Sequence, residues 1–221
     1  MLRFLYRQPW RDDYRRATPG QLGAGYDALS LLGRLLDDYP WARGALLQFA
    51  MKQGYASGPD VDAPPVYGSW GEGLDTHRPL ADLFNASVTI DRADLAHAFE
   101  LICEVYARHG GSTVVTVRFM ARAEGLLAPA RFPANAVIDF DGPRSRRTAD
   151  AYARVVERLD AEGIAFTRHW AKSCQLDAGR VAADYGEDYR RWRSARDRLI
   201  PDPAHRALFA SDVLDGLGLT C

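Results

Sequence analysis

The chain has 221 residues, 47% of them hydrophobic and 26% charged, which suits one domain or two small ones and excludes general disorder. Its 28 Lys and Arg residues nearly balance 29 Asp and Glu residues, so a formal charge of -1 gives no reason to expect nucleic acid or an anionic membrane as a partner. No apolar run approaches the length of a membrane span.

The cysteines and histidines argue against a disulfide framework and against a metal site. Cys103, Cys174 and Cys221 are far apart and form no CxxC pair. The first residues have a short apolar run that charge interrupts, which is unlike an export signal. We therefore expect reduced thiols and a cytoplasmic location. The five histidines lack metal-ligand spacing, so we expect no metal.

The first part of the chain has a helical pattern followed by a long irregular segment. Residues 21–39 and 41–52 are predicted to be helices, separated by Pro40. Residues 54–79 are rich in Gly, Pro and Asp, yet they contain Tyr67 and Trp70. A connection of that length within a compact domain is usually a functional loop or a disordered linker, and the aromatic residues favour a loop that packs onto something.

The middle of the chain predicts an alternation of strands and helices. The expected strands are residues 86–90, 113–120, 135–141 and 164–170. The first expected helix begins after Asp91 as an N-cap, ends at the glycines of "HGG" (109–111), and has one apolar stripe, which consists of Leu95, Phe99, Ile102 and Tyr106. The second expected helix spans residues 148–162 and has an apolar stripe of Tyr152, Val155, Val156 and Leu159. The order β-α-β-β-α-β is typical of the α+β ferredoxin-like arrangement, an antiparallel sheet with its helices on one face. A further helix is expected in the tail, where Tyr185, Tyr189 and Trp192 recur at helical spacing before Pro201.

Alternation along the strands predicts which side chains face the helices. The apolar rows are expected against the helices; they are Val115, Val117, Phe119, Ile138 and Phe140. Polar side chains are expected on the opposite, open face; they are Thr116, Arg118, Asp139 and Asp141. The fourth strand is ambiguous, because Trp170 and Lys172 share one parity with Phe166, whereas His169 has the other.

Several ionisable groups on adjacent strands make this open face the candidate site. Arg118 on a strand commonly pairs with a carboxylate, here Asp139 or Asp141. Two carboxylates perform acid–base chemistry when burial separates their pKa values, although on a sheet they are commonly ordinary ion-pair partners. Lys172 at a strand end is commonly a solvated charge, and His169 fits a structural role equally well. The convergence of these groups beneath a long aromatic loop favours a site.

Five segments of the sequence resemble a known family. They are "SVTIDRADLAHAFELICEVYARHGG", "TVVTVRFMA", "NAVIDFD", "GIAFTRHWAKSCQLD" and "YRRWRSARDRLIPDPAHRALFAS". From Asn85 to Leu219 the chain resembles the substrate, or cap, domain of FAD-linked oxidases of the vanillyl-alcohol-oxidase type, in particular their aldonolactone and alditol oxidase branch. The resemblance implies one cap-like domain of 221 residues, with a helical part at 1–53, a loop at 54–79, the βαββαβ core at 85–172 and a helical tail at 173–221.

The resemblance also implies roles for two residues. Lys172 matches the lysine of a His-Trp-Gly-Lys motif that lies near substrate and flavin in that branch. Arg118 matches the arginine of a Glu-x-Arg strand that contacts substrate. Three positions depart from the pattern: Thr116 replaces the glutamate, Ala171 replaces the glycine and Asp139 replaces a histidine. These oxidases also have a large N-terminal FAD domain with a glycine-rich loop, which this sequence lacks, so we expect no flavin oxidation by this chain alone.

Two functions from different classes follow. The first is a flavin-independent enzyme without cofactor that performs a cyclisation, cycloaddition or rearrangement of an apolar, polyketide-like substrate in bacterial specialised metabolism. Lys172 and Arg118 would donate to a substrate oxygen. The remaining candidate substrate-binding residues are Thr116, Met120, Asp139, Asp141, His169, Trp170, Tyr67 and Trp70.

The alternative is a substrate-binding subunit that rebuilds a split oxidase with FAD on a separate chain. The expected partners are a small apolar substrate and either a second copy or an FAD-binding chain. A third, weaker reading is a ligand-binding or structural remnant without catalysis.

Overall fold

The computed structural model describes residues 9, 11–13, 35, 37–42, 45, 48 and 83–220. The predicted core and tail therefore lie within the described part of the chain. Most of the two predicted N-terminal helices and the whole predicted loop at 54–79 lie outside the described residues. That loop, with Tyr67 and Trp70, stays a prediction.

The described part of the chain is a mixed α/β structure with one four-stranded antiparallel sheet. The strands are β1 Leu83–Asp91, β2 Val114–Ala121, β3 Ala134–Pro143 and β4 Phe166–Arg168. The α-helices that follow residue 83 are α1 Leu95–His109, α2 Arg146–Ala161, α3 Ala178–Leu199, α4 Pro203–Ala207 and α5 Asp212–Gly216. Two short 3-10 helices lie at Pro40–Ala42 and Arg92–Asp94. None of the helices described is long and apolar enough to cross a membrane.

The strands are arranged in the order β2-β3-β1-β4. β1 pairs along its whole length with β3, from Leu83 opposite Pro143 to Asp91 opposite Asn135. β2 pairs with the other side of β3, whereas β4 contributes a short ladder beside β1. The two longest strands are therefore central, and β2 is an edge strand among those described.

One face of the sheet and the helices α1 and α2 enclose an apolar core. Its strand residues occupy alternate positions and are buried: Phe84, Ala86, Val88, Ile90, Ala136, Ile138 and Phe140. Tyr152 of α2 packs between two of them, with ring centroids 5.6 Å from Phe84 and 5.4 Å from Phe140. Each buried Val, Ile or Phe side chain of this set contributes roughly 1.5–3 kcal/mol when it leaves water, so this face is the main source of stability.

The sequence signals at the helix ends are confirmed. The Asp91 carboxylate accepts a hydrogen bond from the Ala93 N–H, 3.0 Å away, and caps the turn that leads into α1. Gly110, with φ of 75°, ends α1 in a conformation that glycine adopts at no steric cost. Ser145 caps α2, and Asp37 accepts hydrogen bonds from the Ser145 and Thr148 hydroxyls. Asp37 therefore contacts the first turn of α2.

Three predicted details are wrong. Phe99 is exposed on α1, whereas Ile102 of the same predicted stripe is buried together with Ala98, Leu101 and Val105. Phe119 is 62% exposed although its parity places it on the helix side, since β2 lies at the sheet edge, where the Arg92 guanidinium packs 5.2 Å from its ring centroid. The fourth strand ends at Arg168 rather than residue 170.

The tail forms a second small core. Its buried residues are Val181, Tyr185, Tyr189, Leu217 and Leu219. Trp170 explains the early end of β4, since its ring stacks on Tyr185 at 5.4 Å and its indole N–H donates to the Leu127 carbonyl at 2.8 Å. The Tyr189 hydroxyl donates to the Gly218 carbonyl at 2.6 Å and fastens the last residues to α3. The tail is thus packed against the end of the sheet.

Candidate functional site

The sheet face opposite α1 and α2, which we call the polar face, has rows of polar side chains that cross the strands. Strand pairing places Thr116 of β2 opposite Asp139 of β3, and Asp139 opposite Ser87 of β1. The neighbouring row places Asp141 opposite Asn85. This register confirms the predicted alternation and brings the candidate residues of three strands together.

Asp139 is the centre of this face. Its side chain is only 4% exposed, and it accepts hydrogen bonds from three other side chains. The Ser87 hydroxyl donates to Oδ1 at 2.9 Å, and the Lys172 ammonium donates to the same oxygen at 2.5 Å. Arg118 donates to Oδ2 from Nε at 2.8 Å, with Nη2 2.7 Å away. We call Ser87, Arg118, Asp139 and Lys172 the Asp139 cluster.

The environment separates the pKa values of the two carboxyls. Burial raises the pKa of Asp139, but the hydrogen bonds from Lys172 and Ser87 and the charges of Lys172 and Arg118 outweigh it, so its pKa lies below the ordinary value. Burial raises the pKa of Asp141, and the hydrogen bond from Asn85 does not offset this. Asp139 is therefore a fixed anion, and Asp141 is the carboxyl that more readily holds a proton.

Lys172 reaches Asp139 because the chain after β4 is held in a tight turn. The Ser173 N–H donates to the Asn85 carbonyl at 2.9 Å, and the Lys172 N–H donates to the His169 carbonyl at 3.2 Å. Arg168 is buried on the helix side and donates from Nη1 to the carbonyls of Cys174 at 2.8 Å and Gln175 at 2.6 Å. The position of Lys172 thus depends on backbone contacts on both sides of it.

Both cations of the cluster have hydrogen-bonding capacity left over. An ammonium group has three N–H donors and a guanidinium has five. Within the described part of the chain, the only side chain that accepts from Lys172 or Arg118 is Asp139. The Lys172 side chain is 18% exposed and that of Arg118 is 59% exposed, so solvent or a ligand reaches the donors that Asp139 does not use. The cluster can hold an anionic or carbonyl oxygen.

His169 and Trp170 have roles that the sequence left open. The Ala171 N–H donates to Nδ1 of His169 at 3.2 Å, which puts the proton of the neutral ring on Nε2. Burial and the nearby charge of Lys172 lower the pKa of His169, which favours that neutral ring. Trp170 points into the tail core instead and donates to the Leu127 carbonyl. His169 is therefore beside the cluster, whereas Trp170 is a packing residue.

Two other predicted residues lie on the exposed margin of the polar face. Thr116 and Met120 are exposed on β2, on the same side as Arg118. Val114, also exposed, completes this row. Tyr67 and Trp70 lie outside the described residues, so their predicted contact with substrate stays a prediction.

Sequence reasoning missed Ser87 and Asn85. Both are polar residues at alternate positions of a strand whose other face is apolar, and that alternation is visible in "NASVTI". Their burial was not evident, because it depends on pairing with β3. Ser87 is 2% exposed and bonded to Asp139, which makes it part of the cluster.

Two other polar features of the described residues lie away from the Asp139 cluster. The first is an ion-pair network in which Arg180 contacts the buried Asp184 side chain at 2.6 Å and Asp160 at 2.7 Å. The second is a shallow groove of about 210 Å³ between α1 and α2, lined mainly by charged residues such as Glu104, Arg108 and Arg154. It contains no residue of the Asp139 cluster. Among the residues that the structure describes, no three His, Cys, Asp or Glu side chains come together in a way that could hold a metal ion.

Comparison with known proteins adds no relative. No family model matches this chain, and no curated protein matches it either. The likeness to oxidase cap domains therefore stays a prediction that the quoted motifs alone support. The same holds for the roles that the likeness implies for Lys172 and Arg118.

Proposed function

We propose that this chain is a flavin-independent, cytoplasmic enzyme that catalyses a non-redox cyclisation, cycloaddition or rearrangement of an apolar, polyketide-like substrate. The observation that supports this best is the shared contact of Arg118 and Lys172 with the buried Asp139 carboxylate. It fixes two cationic donors side by side before any substrate arrives. Donors that are already oriented stabilise developing negative charge without a cost of reorganisation in the transition state.

In the proposed mechanism, Lys172 and Arg118 bind a carbonyl or enolate oxygen of the substrate. Asp139 does not react; it holds both cations in place. Met120 and Val114, exposed on the same side of β2, would contact the apolar part of the substrate. Holding a flexible chain in a reactive conformation lowers the barrier further, because it removes conformational freedom before the reaction.

We also propose that the core is a ferredoxin-like domain of the cap type. The order β1-α1-β2-β3-α2-β4 along the chain and β2-β3-β1-β4 across the sheet supports it, as does the packing of both helices on one face. In this proposal the polar face is the substrate side. The free thiols of Cys103 and Cys174 agree with the proposed location.

The experiment is a mass-resolved search for product. The purified chain would be incubated with the apolar metabolite extract of its own host, and the mixture compared before and after by chromatography and mass spectrometry. An intramolecular cyclisation, cycloaddition or rearrangement that releases no small molecule gives a new compound of unchanged mass. Oxidation gives a product two hydrogens lighter. A new isomer that disappears with Lys172→Met supports the proposal, and the absence of any isomer contradicts it.

A matched control distinguishes the loss of a catalytic donor from a general effect of losing one positive charge. Arg118→Met removes an exposed arginine that is ion-paired to Asp139, whereas Arg190→Met removes an exposed arginine that is ion-paired to Glu187 on α3. We expect the first to lower isomer formation at least tenfold and the second to leave it unchanged. Equal loss in both variants would point to a general effect of charge.

The alternative, a substrate-binding subunit of a split FAD oxidase, has one observation in its favour. Large apolar side chains of the tail are exposed: Leu199, Leu208, Phe209 and Val213. A contiguous apolar surface commonly marks an interface with another protein. A purified chain that retains visible flavin absorbance, or that forms hydrogen peroxide when its partner chain is added, would favour this alternative and contradict the first proposal.

A further inference from the structure

The outer edge of β2 is unpaired in the part of the chain that the structure describes. No described strand pairs with it, so its N–H and C=O groups on that side have no partner in the described sheet. The strand has eight residues, "VVTVRFMA", with neither Pro nor Gly and with a single charge. That charge belongs to Arg118, which Asp139 already neutralises in part. Proteins usually prevent such an edge from pairing with another chain by means of lysine, proline or a bulge, and β2 has none of these.

We propose that β2 pairs antiparallel with β2 of a second copy of this chain, across a two-fold axis perpendicular to the sheet at Val117. The two sheets would then form one continuous eight-stranded sheet, with α1 and α2 of both copies on one side. The proposal does not depend on the proposed catalytic function. An isologous contact of this kind is the usual basis of a dimer.

The register follows from the pattern of side chains. Residues that face each other across an antiparallel pair share one side of the sheet, so in a symmetric pair their numbers differ by an even amount. With Val117 on the axis, Val117 faces Val117, Phe119 faces Val115, Met120 faces Val114 and Arg118 faces Thr116. From Val114 to Met120 every apolar side chain meets an apolar one, and the arginine meets a hydroxyl.

Neighbouring registers are worse. With residue 118 on the axis, Arg118 faces Arg118 of the second copy, and like charges directly opposite destabilise a pair. With residue 116 on the axis, Arg118 faces Val114, and fewer residues overlap. The sequence of β2 is therefore complementary to itself in one register.

This pairing brings the second copy to the Asp139 cluster. Arg118 of the second copy would lie next to Thr116, which faces Asp139. Two strand spacings separate its Cα from that of Asp139, about 10 Å, which an arginine and an aspartate side chain can largely span. The dimer would thus add a third cation at the margin of the polar face.

Sedimentation velocity of the full chain over a range of concentrations tests the interface. We expect a dimer, and we expect Phe119→Lys to raise the dissociation constant at least tenfold, because Phe119 lies on the side of the sheet away from the Asp139 cluster and faces Val115 in the dimer. The matched control is Val213→Lys, also at an exposed apolar position, which should remain dimeric. A monomer at every concentration, or a dimer that Val213→Lys alone dissociates, overturns the proposal.

Disulfide trapping tests the register even if Phe119→Lys fails to fold. In a background with Cys103, Cys174 and Cys221 replaced by serine, Val117→Cys places two thiols opposite each other, with Cα atoms about 4.5–5.5 Å apart. That separation is suitable for a disulfide. Phe119→Cys is the control, since its two copies would be about 14 Å apart along the strands. Cross-linking at 117 but not at 119 supports the register; cross-linking at 119, or at neither position, contradicts it.

Discussion

The two faces of the sheet differ in how they exclude water. Toward α1 and α2, β1 and β3 present Val88, Ile90, Ile138 and Phe140, all fully buried and all apolar. On the polar face the same two strands present Ser87, Thr89, Asn135 and Asp139, which are almost as deeply buried. Burial of apolar groups is favourable in itself, whereas a buried polar group lowers stability unless it is hydrogen-bonded.

This difference shows that stability alone explains the residues of the apolar face but not those of the polar face. The apolar face needs only volume and alternation, and many hydrophobic residues would fill it. The polar face needs specific partners at specific distances, since the buried Asp139 carboxylate needs hydrogen-bond donors, which Ser87, Lys172 and Arg118 supply. Arrangements that stability does not require are where function is expected.

The largest expected effect is on the apolar face. Phe140→Ala removes a fully buried ring that contacts Tyr152, and it should lower the free energy of unfolding by about 3–5 kcal/mol. Chemical denaturation measures it. Phe209→Ala is the control, because its ring is 64% exposed in the tail; we expect a loss of about 0.5 kcal/mol or less. Similar losses in both variants would remove the distinction between the core and the exposed surface.

The second effect is on the polar face. Asp139→Asn leaves two cations without their counter-ion, and we expect a loss of about 1–3 kcal/mol in the free energy of unfolding. The value is below that of a fully buried ion pair because Arg118 is largely exposed. A stability equal to that of the wild type would mean that Asp139 is not the organising group of this face.

The pH dependence of the stability lost in Asp139→Asn tests whether the loss comes from the ion pairs. The pKa of Asp139 lies below its ordinary value in the folded protein, so its contribution is fully present above the unfolded pKa of about 3.9 and is lost as the pH falls through the lower folded value. The difference in unfolding free energy between the wild type and Asp139→Asn should therefore be constant from pH 7 to 5 and shrink below about pH 4. A difference that grows on acidification would contradict the ion-pair account.

The smallest effect concerns Asp141. Its pKa is raised by burial, so the folded protein disfavours its ionised form, and stability is lost as the pH rises through the folded pKa. Asp141→Asn removes this effect and keeps an oxygen that can accept from Asn85. The melting temperature of Asp141→Asn should equal or slightly exceed that of the wild type at pH 7, and the difference should disappear at low pH, where Asp141 is protonated in both the folded and the unfolded protein. Clear destabilisation at pH 7 would show that Asp141 is an essential ion-pair partner.

The apolar face and the helix ends could be predicted from the sequence. Periodicity placed Tyr152, Val155 and Leu159 toward the sheet, and Asp91 and Gly110 marked the ends of the first helix, because these signals are local. The Asp139 cluster could be predicted only in part. Alternation put Arg118 and Asp139 on one side, but the contact of Lys172 depends on the turn after β4.

The failures have non-local causes. The tail core takes Trp170 out of the sheet, and this ends the strand parity that would have placed Lys172 toward the helices. The alternation along β2 predicts Phe119 to be a core residue. Its strand lies at the sheet edge, however, where α1 and α2 cover less of the sheet. Strand order and tail packing decide both outcomes, and neither is visible in a single strand.

The most direct test of the central claim, that Lys172 acts on a ligand rather than in the fold, is a paired measurement on Lys172→Met. Isomer formation and the free energy of unfolding would be measured on the same preparation. We predict that isomer formation falls about 100-fold, as for the loss of one oriented donor to a developing oxyanion. The free energy of unfolding should change by about 1 kcal/mol or less, because Asp139 keeps Arg118 and Ser87 as partners. Unfolding of the variant, or unchanged isomer formation, would contradict the claim.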